Sequence, residues 1–126
     1  MSRDQRNILI SGASRGIGRC IAEKAIQDGH NISIGLRSLK CIKGSELPYL
    51  NKKSDQLLIE RYDAKDKISA NLWADKTKQR FGKIDTLIHC AGIFKKTKLN
   101  YDEKEENDID ELWKVNVLGP WILTRA

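Results

Sequence analysis

The chain has 126 residues, with 23 lysines and arginines against 17 acids, and a formal net charge of +6. This length suits a single domain with a modest core, and the sequence has neither an apolar run that could cross a membrane nor a secretory signal segment. Its three cysteines lack the spacing of a disulfide framework or a metal site. We therefore expect a cytoplasmic protein with no metal and no membrane partner. Because the basic residues are scattered along the chain, nucleic acid is not an expected partner either.

The first strong motif along the chain is a glycine-rich turn. Residues 11–18 read Ser-Gly-Ala-Ser-Arg-Gly-Ile-Gly, between an apolar run at 7–10 and an amphipathic stretch at 19–28, which predicts a strand, a turn and a helix. Glycines let the backbone approach a phosphate closely, and the first N–H groups of the helix attract its charge. The motif predicts a dinucleotide-binding turn, with a purely structural turn as the alternative. Its candidate site residues are Ser11, Gly12, Ser14, Arg15, Gly16, Ile17 and Gly18.

Strand signals recur along the chain, at Asn7–Ser11, Asn31–Leu36, Leu57–Tyr62 and Ile84–Cys90. Each is followed by a helical or irregular stretch, an alternation that predicts an α/β fold with a parallel sheet and helices on both faces. The segment 38–56 is poorly patterned, so a short helix followed by a loop is expected there.

Two further helices are predicted. The first runs from about Asp66 to Phe81 and ends at Gly82, with Ile68, Leu72 and Trp73 packing into the core. The second begins around Asn107 or Asp108 and presents Ile109, Leu112, Trp113, Val117 and Trp121.

Pro120 falls inside this last helix. A proline has no N–H to donate to the carbonyl four residues earlier, so the carbonyl of Asn116 is left free to bind water or another group. A simple kink, or an early end of the helix, is the alternative.

With these motifs in place, the chain resembles the N-terminal half of the short-chain dehydrogenase/reductase family over nearly all of its residues. The turn at 11–18 is similar to that family's Thr-Gly-x-x-x-Gly-x-Gly motif, and His89-Cys90-Ala91-Gly92 matches its Asn-Asn-Ala-Gly motif in the last two residues. Cys90 departs from the pattern, since it lacks the amide that ties neighbouring segments together.

The resemblance implies a Rossmann-like, doubly wound parallel sheet, here of about four strands in the order 3-2-1-4, in one incomplete dinucleotide-binding domain over residues 1–126. It implies that Cys90, Ala91 and Gly92 lie against the cofactor and that Asp63 bonds the adenine amino group, a helix cap or a solvated loop acid being the alternative for Asp63. It also implies that Asn116 is a catalytic residue whose backbone carbonyl holds a water in a proton relay.

The choice of cofactor rests on the end of the second strand. NAD-using sites place a carboxylate there for the ribose hydroxyls, whereas NADP-using sites place cations for the 2′-phosphate. Position 36 is Leu, Arg37 follows it, and Arg15 in the turn can reach the same phosphate. These residues favour NADP over NAD.

The family's chemistry also uses a serine and a Tyr-x-x-x-Lys pair, which fall beyond Ala126 in its pattern. Tyr49 and Lys53 have the right spacing, but they lie between the second and third strands, on the adenosine side, so we interpret them as a coincidence. The resemblance implies an NADP(H)-dependent oxidoreductase that transfers hydride to or from a small carbonyl or alcohol, this chain supplying the cofactor-binding half. The alternatives are a dinucleotide-binding module without chemistry and an inactive truncated product.

Ending the chain at residue 126 would have structural consequences. The fourth strand would form an apolar sheet edge, and the last helix would expose Trp113 and Trp121. The isolated chain is therefore expected to aggregate, dimerise or stay partly molten unless its C-terminal half is supplied. A homo-oligomer through the last helix is expected if the chain is complete in nature. The lysines of the loop after the fourth strand, Lys95, Lys96 and Lys98, are expected to be solvated charges.

Overall fold

A computed structural model describes residues 5–42, 55–100 and 102–126. Its strands are β1 (Asn7–Ser11), β2 (Asn31–Leu36), β3 (Leu57–Arg61) and β4 (Thr86–His89). They form one parallel sheet in the order β3-β2-β1-β4, with Leu9 level with Ser33 on one side and with Leu87 on the other. The predicted Rossmann-like order and strand direction are confirmed, although β4 is shorter at both ends than the sequence predicted.

The helices are α1 (Gly16–Gln27), α2 (Lys67–Phe81), α3 (Glu103–Trp113) and α4 (Gly119–Arg125), and a π-helical segment, Lys114–Leu118, joins α3 to α4. The short helix expected after β2 is a single 3-10 turn at Leu39–Ile42. The remainder of that stretch, including Tyr49 and Lys53, lies outside the described residues. Within the described ranges, no helix combines the length and apolar character that a membrane crossing requires.

The sheet separates two hydrophobic clusters, because successive side chains of a strand point to opposite faces. One cluster packs α1 against Ile8, Ile10, Ile32 and Ile34. The other packs α2 and α4 against Leu9 and comprises Tyr62, Ala70, Trp73 and Leu123. The central strands β1 and β2 are therefore buried on both faces, as expected for a parallel sheet.

Helix α2 buries a different face from the one the sequence predicted. Trp73 is fully buried, but Ile68 is 70% exposed and Leu72 is 56% exposed, so the prediction that these two pack into the core is wrong. The buried stripe consists of Ser69, Ala70, Trp73, Ala74 and Thr77. Small side chains let the helix lie close to the sheet, where the ring of Trp73 leaves room for only a glycine at position 35.

The last helical run begins earlier than predicted. Helix α3 starts at Glu103 because the carboxylate of Asp102 caps it by accepting from the backbone N–H groups of Lys104 and Glu105. The expected start at Asn107 or Asp108 was wrong because the acids after Asp102 favour the first turn of this helix.

The run continues through Pro120 rather than ending there. The N–H of Gly119 donates to the carbonyl of Lys114, five residues earlier, and Pro120 lies in the first turn of α4. The π-helical turn accommodates Pro120, so the helical run continues past it. Trp113 and Trp121 are 60% and 55% exposed, as the sequence predicted, and β4 is an edge of the described sheet.

Candidate functional site

A groove of about 840 Å³ opens at the carboxyl ends of the strands. It lies where β1 has β2 on one side and β4 on the other, the point at which ligands bind in open parallel sheets. Most of the predicted cofactor-site residues line it: Gly12, Ser14, Arg15, Gly16, Ile17, Gly18, Arg37, Asp63, Cys90, Ala91 and Gly92. Sequence reasoning missed other lining residues, among them Tyr62, Lys65, His89, Phe94 and Glu111.

The glycines of the turn have two distinct roles. A Cβ on Gly12 would lie 2.4 Å from the backbone nitrogen of Ala91, and one on Gly18 would lie 2.3 Å from the carbonyl oxygen of Gly12. These two glycines let the turn pack directly on the end of β4. Gly16 has a φ of +61° and no described atom, outside its own chain neighbours and helix, within 4 Å of its Cβ position, so it faces open space in the groove.

The start of α1 suits an anion. Arg15 precedes the helix in an extended conformation, no side chain among the described residues caps it, and its first turn contains no acid. The first N–H groups of α1 and the positive end of its dipole are therefore available to the groove beside Gly16. This arrangement fits the pyrophosphate of a dinucleotide.

Ser11 lies beneath the groove rather than in its lining. Its side chain is buried, and its hydroxyl accepts a hydrogen bond of 3.3 Å from the N–H of Ala91. Its backbone carbonyl accepts one of 3.1 Å from the N–H of Cys90. Ser11 thus ties β1 to the segment after β4, a connection that Cys90 has no side-chain amide to make.

Asn116 hydrogen-bonds to the segment after β4 from outside the groove. Its amide nitrogen donates to the carbonyl of Ile93 and its amide oxygen accepts from the N–H of the same residue, both at 2.8 Å. Its Oδ1 lies 3.3 Å from the Cβ position of Gly92. Asn116 therefore holds the segment that carries Ala91 and Gly92, and its position in the π-helical turn before Pro120 leaves its carbonyl without the proline's N–H as a donor.

Asp63 lies in the groove at the end of β3. Its carboxylate accepts from the backbone N–H of Lys65 at 2.9 Å, a local turn, whereas Asp66 is the residue that caps α2. The helix-cap alternative for Asp63 is therefore wrong. Neighbouring Tyr62 is buried, and this burial, with the charge of Asp63, raises the pKa of its phenol to about 12.

His89 is the last residue of β4. Its Nε2 lies 3.0 Å from the hydroxyl of Thr124, and that hydroxyl donates to the carbonyl of Pro120 at 2.8 Å. The Thr124 hydroxyl therefore lies between the imidazole of His89 and the carbonyl of Pro120. Partial burial lowers the pKa of His89. This contact and the Asn116 contact attach α4 and the π-helical segment to the end of β4.

An ionic bridge crosses one side of the groove. Glu111 on α3 accepts from Lys65 at 3.0 Å and from Lys95 at 2.6 Å, and Lys95 also donates to Asp108 at 2.7 Å. The expectation that Lys95 is merely solvated is therefore wrong. Hydrogen bonds from Lys95 and Lys65 lower the pKa of Glu111 to about 2. Across the part of the chain that the structure describes, no three His, Cys, Asp or Glu side chains group as a metal site.

Comparison with known proteins agrees with the resemblance seen in the sequence. The short chain dehydrogenase family matches residues 6–126. Agropine synthesis reductase of Rhizobium rhizogenes is 36% identical over 122 residues, which is 93% of this chain and 26% of that protein. The 3-dehydrosphinganine reductase of Danio rerio is 29% identical over 124 residues, 95% of this chain and 37% of that protein.

Solved structures show the same fold. A short-chain dehydrogenase from Streptomyces avermitilis has a TM-score of 0.84 at 26% identity, over 97% of this chain and 43% of that one. ElxO with NADP bound has a TM-score of 0.81 at 24% identity, over 96% of this chain and 48% of that one. The chain thus spans between 26% and 48% of the length of these four proteins. Its matched residues, sheet order and glycine turn place it in the short chain dehydrogenase family.

Proposed function

We propose that this chain forms the NADP(H)-binding part of an oxidoreductase that transfers hydride to or from the carbonyl or alcohol carbon of a small molecule. The observation that carries the proposal is the groove, which joins the glycine turn, both arginines and the Asp63 loop in one surface. The dinucleotide supplies or accepts the hydride when it is bound there. Membership of the family and the NADP bound to ElxO support this assignment.

The end of β2 supports NADP over NAD. The strand ends at the buried Leu36, so the groove has no carboxylate at this position for the ribose hydroxyls. Arg37 follows it, and Arg37 and Arg15 are both exposed and both line the groove. Guanidinium groups make charge-assisted hydrogen bonds to phosphate, which favours a ligand with a 2′-phosphate.

Different residues of the chain bind different parts of the dinucleotide. The turn at Gly16 and the start of α1 hold the pyrophosphate, and the Asp63 carboxylate accepts from the adenine amino group. Asn116 positions Ala91 and Gly92 through Ile93, and its backbone carbonyl holds a water that carries protons to or from the reacting oxygen.

The affinities of the full-length protein for NADPH and NADH, measured by fluorescence titration, test the proposal. We expect NADPH to bind at least about tenfold more tightly than NADH, since one phosphate gains charge-assisted bonds. Arg37→Met should weaken NADPH binding about tenfold and change NADH binding less than about twofold. Lys83→Met is the matched control, because Lys83 is an exposed cation between α2 and β4 and does not line the groove.

Each outcome decides between the proposed functions. Equal affinity for the two dinucleotides would overturn the NADP preference. Tight NADPH binding without turnover on a panel of carbonyls and alcohols would favour a binding module without chemistry. Failure to bind either dinucleotide would overturn both.

We further propose that the outer face of the last helical run mediates homo-oligomer formation. Trp113, Val117 and Trp121 follow one another at intervals of four residues and are all exposed, and the guanidinium of Arg125 lies 4.7 Å from the ring centre of Trp121. An exposed apolar stripe with two tryptophans is typical of an interface. Sedimentation velocity of the full-length protein should show a dimer or larger assembly that Trp121→Glu dissociates, and an assembly unchanged by that substitution would contradict the proposal.

A further inference from the structure

The groove has two rims on its adenosine side, the loop with Asp63 and Ala64 and the segment with Phe94. We propose that Glu111 is a positioning residue that bridges these two rims and so controls affinity for the dinucleotide. This inference rests on the proposed function. Glu111 is on α3, Lys65 lies in the loop between β3 and α2, and Lys95 lies in the segment between β4 and α3. One carboxylate on α3 thus binds lysines from two other segments and joins three parts of the chain.

The position of the bridge is what connects it to the ligand. Glu111 and Lys65 line the groove, and so do Asp63 and Ala64 on one rim and Phe94 on the other. The two oxygens of the carboxylate are divided between the rims, since Oε1 accepts from Lys65 and Oε2 from Lys95. Losing the carboxylate would remove this direct ionic link between the rims.

The bridge is reinforced on both sides. Lys95 also bonds Asp108, which lies one turn before Glu111 on α3. In the π-helical segment that follows α3, Asn116 binds Ile93. On the opposite rim, a Cβ at Gly119 would lie 2.7 Å from the carbonyl of Ala64, so α4 rests directly on the Asp63 loop. Glu111 therefore lies between two rims that the helix already contacts, and it connects them.

A positioning role and a purely electrostatic role predict opposite changes in dinucleotide affinity when Glu111 is removed. If Glu111 only offset the charge of the two lysines, its removal would leave two cations beside a polyanionic ligand and tighten binding. If it positions the rims, its removal weakens binding, although two cations are released. The direction of the change in affinity therefore separates the two roles.

The test uses the full-length protein and titrates NADPH and 2′,5′-ADP, a probe of the adenosine half alone. We expect Glu111→Gln to raise the Kd for both ligands by a similar factor, roughly three- to tenfold, as expected for the loss of two ion pairs. Glu111→Asp keeps the charge on a shorter side chain and should restore part of the affinity. Asp110→Asn is the matched control, since Asp110 is on the same helix and its ion pair is with Lys114, one turn away.

Unchanged or tighter binding by Glu111→Gln would overturn the inference while leaving the proposed function intact. Lack of NADPH binding by the wild-type protein would overturn the proposed function and this inference with it. If Glu111→Gln does not fold, Glu111→Asp decides the question, because it keeps the charge and changes only the reach of the carboxylate. It should weaken 2′,5′-ADP binding relative to the wild type, and an unchanged affinity would count against the bridge.

Discussion

Asn116 and Ile93 are joined by two hydrogen bonds of 2.8 Å, in which the side-chain amide of Asn116 accepts from the backbone N–H of Ile93 and donates to its backbone C=O. A primary amide is the side chain that can donate and accept in this way. The pair joins the π-helical segment to the loop that carries Ala91 and Gly92 into the groove. Asn116 therefore shapes the groove without lining it.

Asn116→Ala should affect turnover more than stability. Both hydrogen bonds are exposed, so we expect a loss of about 1 kcal/mol or less in the free energy of unfolding. Turnover should fall at least about tenfold, because displacement of the Ala91–Gly92 segment misplaces bound groups. Urea denaturation and initial rates at saturating NADPH measure the two effects. Asn107→Ala, an exposed asparagine on α3, is the control, and wild-type turnover by Asn116→Ala would contradict the prediction.

Alanine substitutions in the glycine turn should separate folding from binding. Gly12→Ala places a Cβ 2.4 Å from backbone atoms of Cys90 and Ala91, so we expect a large loss of stability. Gly16→Ala meets open space and carries only the strain of its positive φ, about 1 kcal/mol. Because its methyl group would project into the groove, NADPH affinity should fall at least about tenfold in a folded protein.

The control for the Gly16 prediction is Gly82→Ala. Gly82 also has a positive φ, +84°, with no described neighbour within 4 Å of its Cβ position outside its chain neighbours, and it ends α2. Its ψ of −142° lies where glycine alone is readily accommodated, so Gly82→Ala should lose at least as much stability as Gly16→Ala and still keep its NADPH affinity. Equal binding defects in the two variants would show that backbone strain, rather than the groove, is responsible.

A closed ring of hydrogen bonds in the core predicts the effect of Ser33→Ala. The indole N–H of Trp73 donates to the Ser33 hydroxyl at 2.8 Å, Ser33 and Thr77 are 2.7 Å apart, and Thr77 donates to the carbonyl of Trp73. Removing the Ser33 hydroxyl leaves a buried indole N–H without its acceptor, at a cost of about 1–3 kcal/mol. Urea denaturation measures it, with the exposed Ser38→Ala as control. A loss no larger than that of the control would contradict the prediction.

The ionic bridge should make stability depend on pH in the acidic range. The pKa of Glu111 falls from its ordinary 4.5 to about 2 in the folded chain. A depressed pKa means that the stabilisation is complete above about pH 4.5 and is lost as the pH falls towards about 2. The difference in free energy of unfolding between the wild type and Glu111→Gln should therefore shrink over this interval. A difference that stays constant from about pH 7 to about pH 3 would contradict the assignment.

Local patterns predicted the parallel strands and the glycine turn, whereas the order of the sheet and the place of Cys90, Ala91 and Gly92 in the groove came from the resemblance to the family. Apolar runs such as Asn7–Ser11 and the glycine spacing at 11–18 are local signals, because backbone conformation depends on residues close in the chain. The expected exposure of Trp113 and Trp121 is confirmed as well. Local signals failed at Ile68 and Leu72, since two helix faces of comparable hydrophobicity differ only in which one the sheet accepts.

Contacts between distant segments were decided by the tertiary structure alone. The bonds of Ser11 to Ala91, of Asn116 to Ile93 and of Glu111 to Lys65 join residues that are far apart in the chain. Hydrophobic periodicity in the sequence does not predict such contacts, because the position of one element against another depends on how their whole faces pack. The sequence therefore predicts many of the residues that line the groove, whereas the contacts that hold its rims in place form only when the chain is folded.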